Sequence, residues 1–160
     1  MPPLAYIVVR RGESAAKCTI RPLRGTPGLE FIPYPFRRPL PPGLADAILL
    51  APDAPPLSPD DAALQRPLLL LDASWHHAAK MRNALPPVPL VRSLPAAFRT
   101  AYPRSSKIHD DPPSGLATVE ALHAALTLLG RRDDTLLAHY PFTPQYLALN
   151  AGLLPRNLGT

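Results

Sequence analysis

Residues 68–81 read LLLLDASWHHAAKM: four leucines run into an acid, and the only tryptophan of the chain follows three positions later. A carboxylate at that place could take a proton or orient a substrate. Asp is also a favoured helix N-cap, so Asp72 could equally do no more than start the next helix. Trp75 could be ordinary core, or it could be a wall for a cationic ligand or a platform for a base. It lies one helical turn after Asp72, which would let both face one cleft at the end of a strand. A second candidate is Gly115-Leu116-Ala117-Thr118-Val119-Glu120. Main-chain amides at a helix start can hold a carboxylate or phosphate. The plainer alternative is capping by Ser114, with Glu120 in the first turns of an amphipathic helix.

Other chemistry finds less support. His76, His77, His109, His123 and His139 show no clustered spacing with acids or with the single cysteine, which argues against a metal. No motif sets a base beside Cys18, so a nucleophilic thiol is not expected. Neither GxGxxG nor a P-loop occurs, so a nucleotide would need another mode of binding.

These residues need elements to position them. LAYIVVR (4–10), ADAILLAP (45–52) and PVPLVRSLP (87–95) read as strands. LEFIPYPF (29–36) carries two prolines, which fits an edge strand or irregular chain. PLLLLDA (67–73) is a continuous apolar run, as in a parallel sheet covered on both faces. Ser58-Pro59-Asp60-Asp61 looks like the start of a short helix. Helices are predicted over 74–85, capped by Ser74 or Asp72, and over 115–130. In the latter, Leu116, Val119, Leu122, Leu126 and Leu129 share a face and Gly130 ends it. Residues 133–154 predict two helices broken near Pro141–Pro144. Strands with interspersed helices and a central apolar strand predict an α/β fold, a class whose ligands bind beyond the carboxyl ends of the strands.

The chain has 160 residues and 46% apolar residues, enough for one compact unit without disulfides. One cysteine and the lack of a leader-like or bilayer-length apolar run predict a soluble cytoplasmic protein. The net charge is +5, and only three of its 17 basic residues are lysines. Arginine forks suit phosphate, so RNA or DNA is a candidate partner. A GC-rich genome would explain the same composition, along with the 24 prolines.

Six segments, taken in order, carry a resemblance: KCTIRPL (17–23), LSPDD (57–61), LDASW (71–75), RSLPAAFRTAYP (92–103), GLATVEALHAAL (115–126) and HYPFTPQYLALN (139–150). Together they resemble the ribosomal-RNA aminocarboxypropyltransferases and, more distantly, the DTW-domain tRNA aminocarboxypropyltransferases. The resemblance covers nearly the whole chain. It implies a SPOUT-like α/β fold with a mostly parallel central sheet flanked by helices and a C-terminal trefoil knot. An N-terminal α/β lobe (1–95) and a C-terminal helical part (96–160), which completes the knot and cofactor site, would form one compact unit. The implied cofactor is S-adenosyl-L-methionine, whose 3-amino-3-carboxypropyl group goes to N3 of a uridine or pseudouridine in rRNA or tRNA, releasing methylthioadenosine.

By the same resemblance, Trp75 and Ala78 wall in the methyl group, and Thr19 with the Thr118 amide holds the cofactor carboxylate. The Leu71 carbonyl meets the ribose hydroxyls. Leu94, Leu116, Ala78 and the 102–109 loop frame the adenine. Asp72 is the candidate acceptor of the N3 proton, and Glu120 matches the family's glutamate. The family's Asn-rich loop is replaced here by AYPRSSKIHDD. A SPOUT-type RNA methyltransferase and a non-catalytic RNA-binding factor are the alternatives, and no metal or membrane partner is expected.

Overall fold

The computed structural model describes residues 3–10, 19–73, 75–103 and 116–154, excepting the side chains of Trp75 and His76. Two compact units are present: residues 1–55 with 65–93, and residues 56–64 with 94–160.

The first unit is built on a five-stranded sheet: β1 (Ala5–Arg10), β2 (Leu29–Tyr34), β3 (Ile48–Leu50), β4 (Leu68–Asp72) and β5 (Leu90–Arg92). The order is β2-β1-β4-β3-β5, and every pairing is parallel. The expectation of an α/β fold with a parallel sheet therefore holds. β1 and β4 are adjacent and central, and their residues are apolar on both faces, as burial on both sides requires. On one face Tyr6, Val8, Ile32, Leu49 and Leu69 pack with Met81 of the helix α1 (Trp75–Ala84). The alternate residues Ala5, Ile7, Ile48, Leu68 and Leu70 are also buried.

LEFIPYPF forms an edge strand, as its prolines predict: Pro33 lacks an N–H and is tolerated only where no neighbour needs one. Proline also shortens the other strands. The reading of 45–52 contracts to three residues and that of 87–95 to three, between Pro87 or Pro89 and Pro95. Parallel strands need crossovers. Only α1 is an α-helix among the described ones; the rest are 3-10 turns, at Arg21–Leu23 and Pro42–Asp46, and irregular chain. Close packing fixes Gly43 in one of them, because a Cβ there would lie 2.7 Å from the Tyr6 hydroxyl.

The second unit contains α2 (Thr118–Leu128) and α3 (Thr143–Leu149), with 3-10 turns at Pro59–Leu64, Asp134–Leu137 and Ala151–Leu153. The short helix expected to start at Ser58-Pro59 and the first of the two expected over 133–154 are thus 3-10 turns. Val119, Leu122, Leu126 and Leu129 are buried as the periodicity predicts. His123, Ala124 and Ala125 are buried too, so α2 is enclosed nearly all round. α2 ends in a Schellman motif: Gly130 N–H donates to Thr127 O, Arg131 N–H donates to Leu126 O, and Gly130 has φ +76°.

Candidate functional site

The β1/β4 pair is where connections diverge. From β1 the chain passes to the β2 edge, and from β4 it passes through α1 to the β5 edge. Ligands of open parallel sheets bind at the carboxyl end of such a switch point. Leu71 and Asp72 stand there, opposite Val8 and Val9 of β1. Leu71 is half-buried and packs against the Met81 cluster; Asp72 is 8% exposed. Strand alternation therefore directs the Asp72 side chain to the other face of the sheet from Leu71 and Met81. The Leu71 carbonyl, at the carboxyl end of β4, accepts the Ala73 N–H at 3.2 Å.

α1 begins at Trp75, and Ala78 follows one turn later, half-buried. The Trp75 side chain, the proposed cap Ser74 and the Lys17-Cys18 part of KCTIRPL lie outside the described residues. Thr19 is half-buried. This unit thus places a strand-end carbonyl, a buried carboxylate and a small helix residue within one local segment, 71–78.

In the second unit, Leu94 and Leu116 are half-buried, and Thr118 is the first residue of α2. Ser114, Gly115 and residues 104–109 of the expected adenine loop lie outside the described residues. The N-cap position belongs to Ala117, whose N–H donates to Glu120 Oε1 at 2.8 Å, so the glutamate itself caps the helix.

Glu120 is 0% exposed and accepts three further hydrogen bonds. The Thr100 hydroxyl donates to Oε1 at 2.7 Å, and Ala101 N–H donates to Oε2 at 2.9 Å. The Tyr140 hydroxyl donates to Oε2 at 2.9 Å. All four donors are neutral, so a buried acid is solvated by dipoles at a helix start, where the macrodipole favours negative charge. Burial, followed by the nearby Glu120 charge, pushes the Tyr140 and Tyr146 phenols well above their ordinary range.

One turn further along α2 lies His123, fully buried. Its Nε2 is 2.7 Å from Asp134 Oδ1, and its Nδ1 is 2.9 Å from the Tyr146 hydroxyl. Because the carboxylate only accepts, Nε2 carries the proton and the phenol donates to Nδ1 in the neutral ring. Arg132 grips Asp134 through Nε and Nη2 and donates to Leu154 O. Hydrogen bonding to Arg132 holds the Asp134 carboxyl down to about 2.

Sequence reasoning finds Glu120 but not Thr100, Tyr140, Asn150, His123 or Asp134 as its network. The only signal is the polar interruptions in apolar runs, HYPF and LALN. Among the described residues, no group of three or more His, Cys, Asp and Glu side chains could hold a metal ion. Each unit by itself carries part of what a nucleoside bearing a carboxylate would need: the first the Leu71 carbonyl and the small, half-buried Ala78, the second the half-buried Leu94 and Leu116 and the main-chain amides of the α2 start.

No family model matches the chain. In sequence it is 34% identical over 92 residues to the 16S rRNA aminocarboxypropyltransferase of Methanopyrus kandleri, a match covering 56% of this chain and 52% of that protein. The chain therefore spans about half the length of the curated relative it matches. In fold it is similar to the SAM-dependent rRNA:acp-transferase of Vulcanisaeta distributa, with a TM-score of 0.71, 25% identity, and coverage of 98% of this chain and 83% of that one. Both of these proteins, the relative in sequence and the neighbour in fold, are named as ribosomal-RNA aminocarboxypropyltransferases.

Proposed function

We propose that this chain transfers the 3-amino-3-carboxypropyl group of S-adenosylmethionine to N3 of a uridine or pseudouridine, in rRNA or else tRNA. The reading rests on the likeness in fold along nearly the whole chain to an enzyme of that name, with Asp72 at the sheet's switch point. We infer with it a SPOUT-like chain path ending in a trefoil knot, and a place in cytoplasmic ribosome biogenesis. No helix among the described residues is long and apolar enough to cross a membrane.

When bound, S-adenosylmethionine supplies an electrophilic carbon on a sulfonium, and the electron pair of the broken C–S bond leaves with methylthioadenosine. The chain's own residues position and deprotonate. Asp72 accepts the proton that N3 loses as its bond to carbon forms, a task for which a carboxylate is fitted. Trp75 and Ala78 enclose the methyl group, so that selection among three electrophilic carbons is a matter of orientation. Thr19 and the Thr118 amide hold the carboxylate, the latter with the helix dipole behind it. The Leu71 carbonyl takes the ribose hydroxyls, and Leu94 and Leu116 bound the adenine. Glu120, its oxygens engaged by four donors, acts at one remove.

The test is incubation with rRNA and tRNA and with cofactor labelled at the carboxyl carbon or at the methyl. Carboxyl-carbon label should enter RNA and methyl label should not. The reverse pattern makes the chain a methyltransferase, and RNA binding without cofactor binding makes it a binding factor. Asp72→Asn should lower transfer by roughly 100-fold or more while cofactor affinity is kept. Trp75→Ala should weaken cofactor binding with the fold intact; unchanged affinity would remove the methyl wall.

A further inference from the structure

Residues 99–102 belong to no helix or strand, yet their main chain is held firmly. Arg99 N–H donates to Asn150 Oδ1 at 2.8 Å, and Asn150 Nδ2 donates back to Arg99 O at 2.9 Å. Ala101 N–H goes to Glu120, and Tyr102 N–H goes to the Thr100 hydroxyl at 3.0 Å. Thr100 in turn donates to Glu120. Side chains thus do here what a sheet ladder does elsewhere. Asn150 is 1% exposed and is itself fixed by donating to Tyr146 O at 2.9 Å. Glu120 ties the same segment to Ala117 at the α2 start and to Tyr140.

A fully buried carboxylate is a costly way to fill space, since an apolar side chain of that volume would need no donors. What it adds is acceptor count: one group joins residues 100 and 101, residue 117 and residue 140. Two of those segments adjoin Thr118 and the 102–109 loop, to which cofactor contacts are assigned.

We propose that Glu120, Tyr140, Thr100 and Asn150 form a buried clamp that fixes the main chain of residues 99–102 against the start of α2, and that this clamp sets the affinity for the S-adenosyl cofactor. They are positioning residues that touch neither cofactor nor RNA. The inference rests on the function proposed above. It extends that function by giving the buried glutamate a task and naming three partners for it.

Three isosteric or near-isosteric variants test the clamp: Tyr140→Phe, Thr100→Val and Asn150→Asp. Thr100→Ser serves as the conservative rescue. Amide hydrogen exchange is followed at residues 99–102 and 117 without cofactor, and S-adenosylmethionine affinity is measured by calorimetry. Each of the three should speed exchange at Ala101 and Tyr102 and raise Kd by about 10-fold or more, the scale of one or two hydrogen bonds. The kcat at saturating cofactor should stay within about two-fold, since no reacting group has changed. Thr100→Ser should restore both readings. Half-exposed Thr100 is the safeguard against a variant that fails to fold. If the unaltered protein binds no S-adenosylmethionine, the proposed function falls and the clamp's purpose with it. If the unaltered protein binds and the variants keep its Kd, whatever happens to exchange or melting temperature, the clamp inference alone is overturned.

Discussion

His123 shows how a single buried residue ties pH to stability. Burial lowers its pKa, and this outweighs the stabilising hydrogen bond to Asp134. A group whose proton affinity is depressed in the folded state leaves the unfolded chain binding more protons in acid. Stability should therefore fall as pH drops below about 6.5, the unfolded value. Asp134 adds to this at lower pH. Held at about 2, it contributes stability that is complete above its ordinary value near 4 and is lost as pH falls towards 2. The salt bridge with Arg132 is half-exposed, so its share is small. The expected outcome is a melting temperature that declines between pH 7 and pH 5 in the unaltered protein and declines less in His123→Gln. Parallel pH profiles for the two would mean that another group carries the slope. None of this network is legible in the sequence. A lone histidine on a helix gives no hint that Tyr146, 23 residues on, and Asp134 will meet its two nitrogens.

Elements are legible in proportion to their periodicity. β4 announces itself by four consecutive leucines, and α2 by apolar residues at helical spacing closed by Gly130. Where proline intervenes, the pattern stops short: strands read over eight or nine residues shrink to three, and helices tighten to 3-10 turns. The α2 start departs from expectation because Ser114 is the type of residue that caps, whereas Glu120 reaches back from N3 to do it. The far end permits a direct test. Gly130 has φ +76°, and a Cβ at that position would find nothing within 4 Å, so Gly130→Ala meets no clash and costs only the left-handed backbone. That should cost about 1 kcal/mol and lower the melting temperature by about 2–4 °C in a chain of this size. Loss of about ten degrees or more would mean that the Schellman turn also anchors the residues that follow it. By contrast Gly43→Ala would drive a methyl against the Tyr6 hydroxyl and should cost more, although Gly43 has an ordinary backbone.

At the scale of the whole molecule, the class of fold follows from strand and helix order, but the strand order does not. Nothing in local pattern says that β4 inserts beside β1 and that β3 then separates β4 from β5; that is decided by long-range pairing. Charge is the molecular property that composition gives directly, and it bears on the proposed RNA acceptor. The net charge is +5, and in the sheet-bearing unit Arg10, Arg37 and Arg38 are exposed. Among the described residues they make no ion pair. Arg10 ends β1 opposite Tyr34 of β2, one residue beyond the Val9–Asp72 pair, so it stands at the carboxyl edge where Asp72 lies. Arg37 and Arg38 follow β2 directly, past the edge-to-face pair Tyr34–Phe36 at 5.3 Å. Cations that neutralise phosphates release counterions, so RNA affinity should fall steeply with salt, with a log–log slope of about −0.7 per single-strand phosphate contact. Replacing Arg37 and Arg38 together by alanine should weaken RNA binding at low salt and flatten that slope by about 1 to 1.5, leaving cofactor affinity unchanged. Filter binding across a salt series checks both numbers. An unaltered slope would move the RNA contact away from this edge of the sheet, and a change in cofactor affinity would show that the two arginines act on the fold instead of on the nucleic acid.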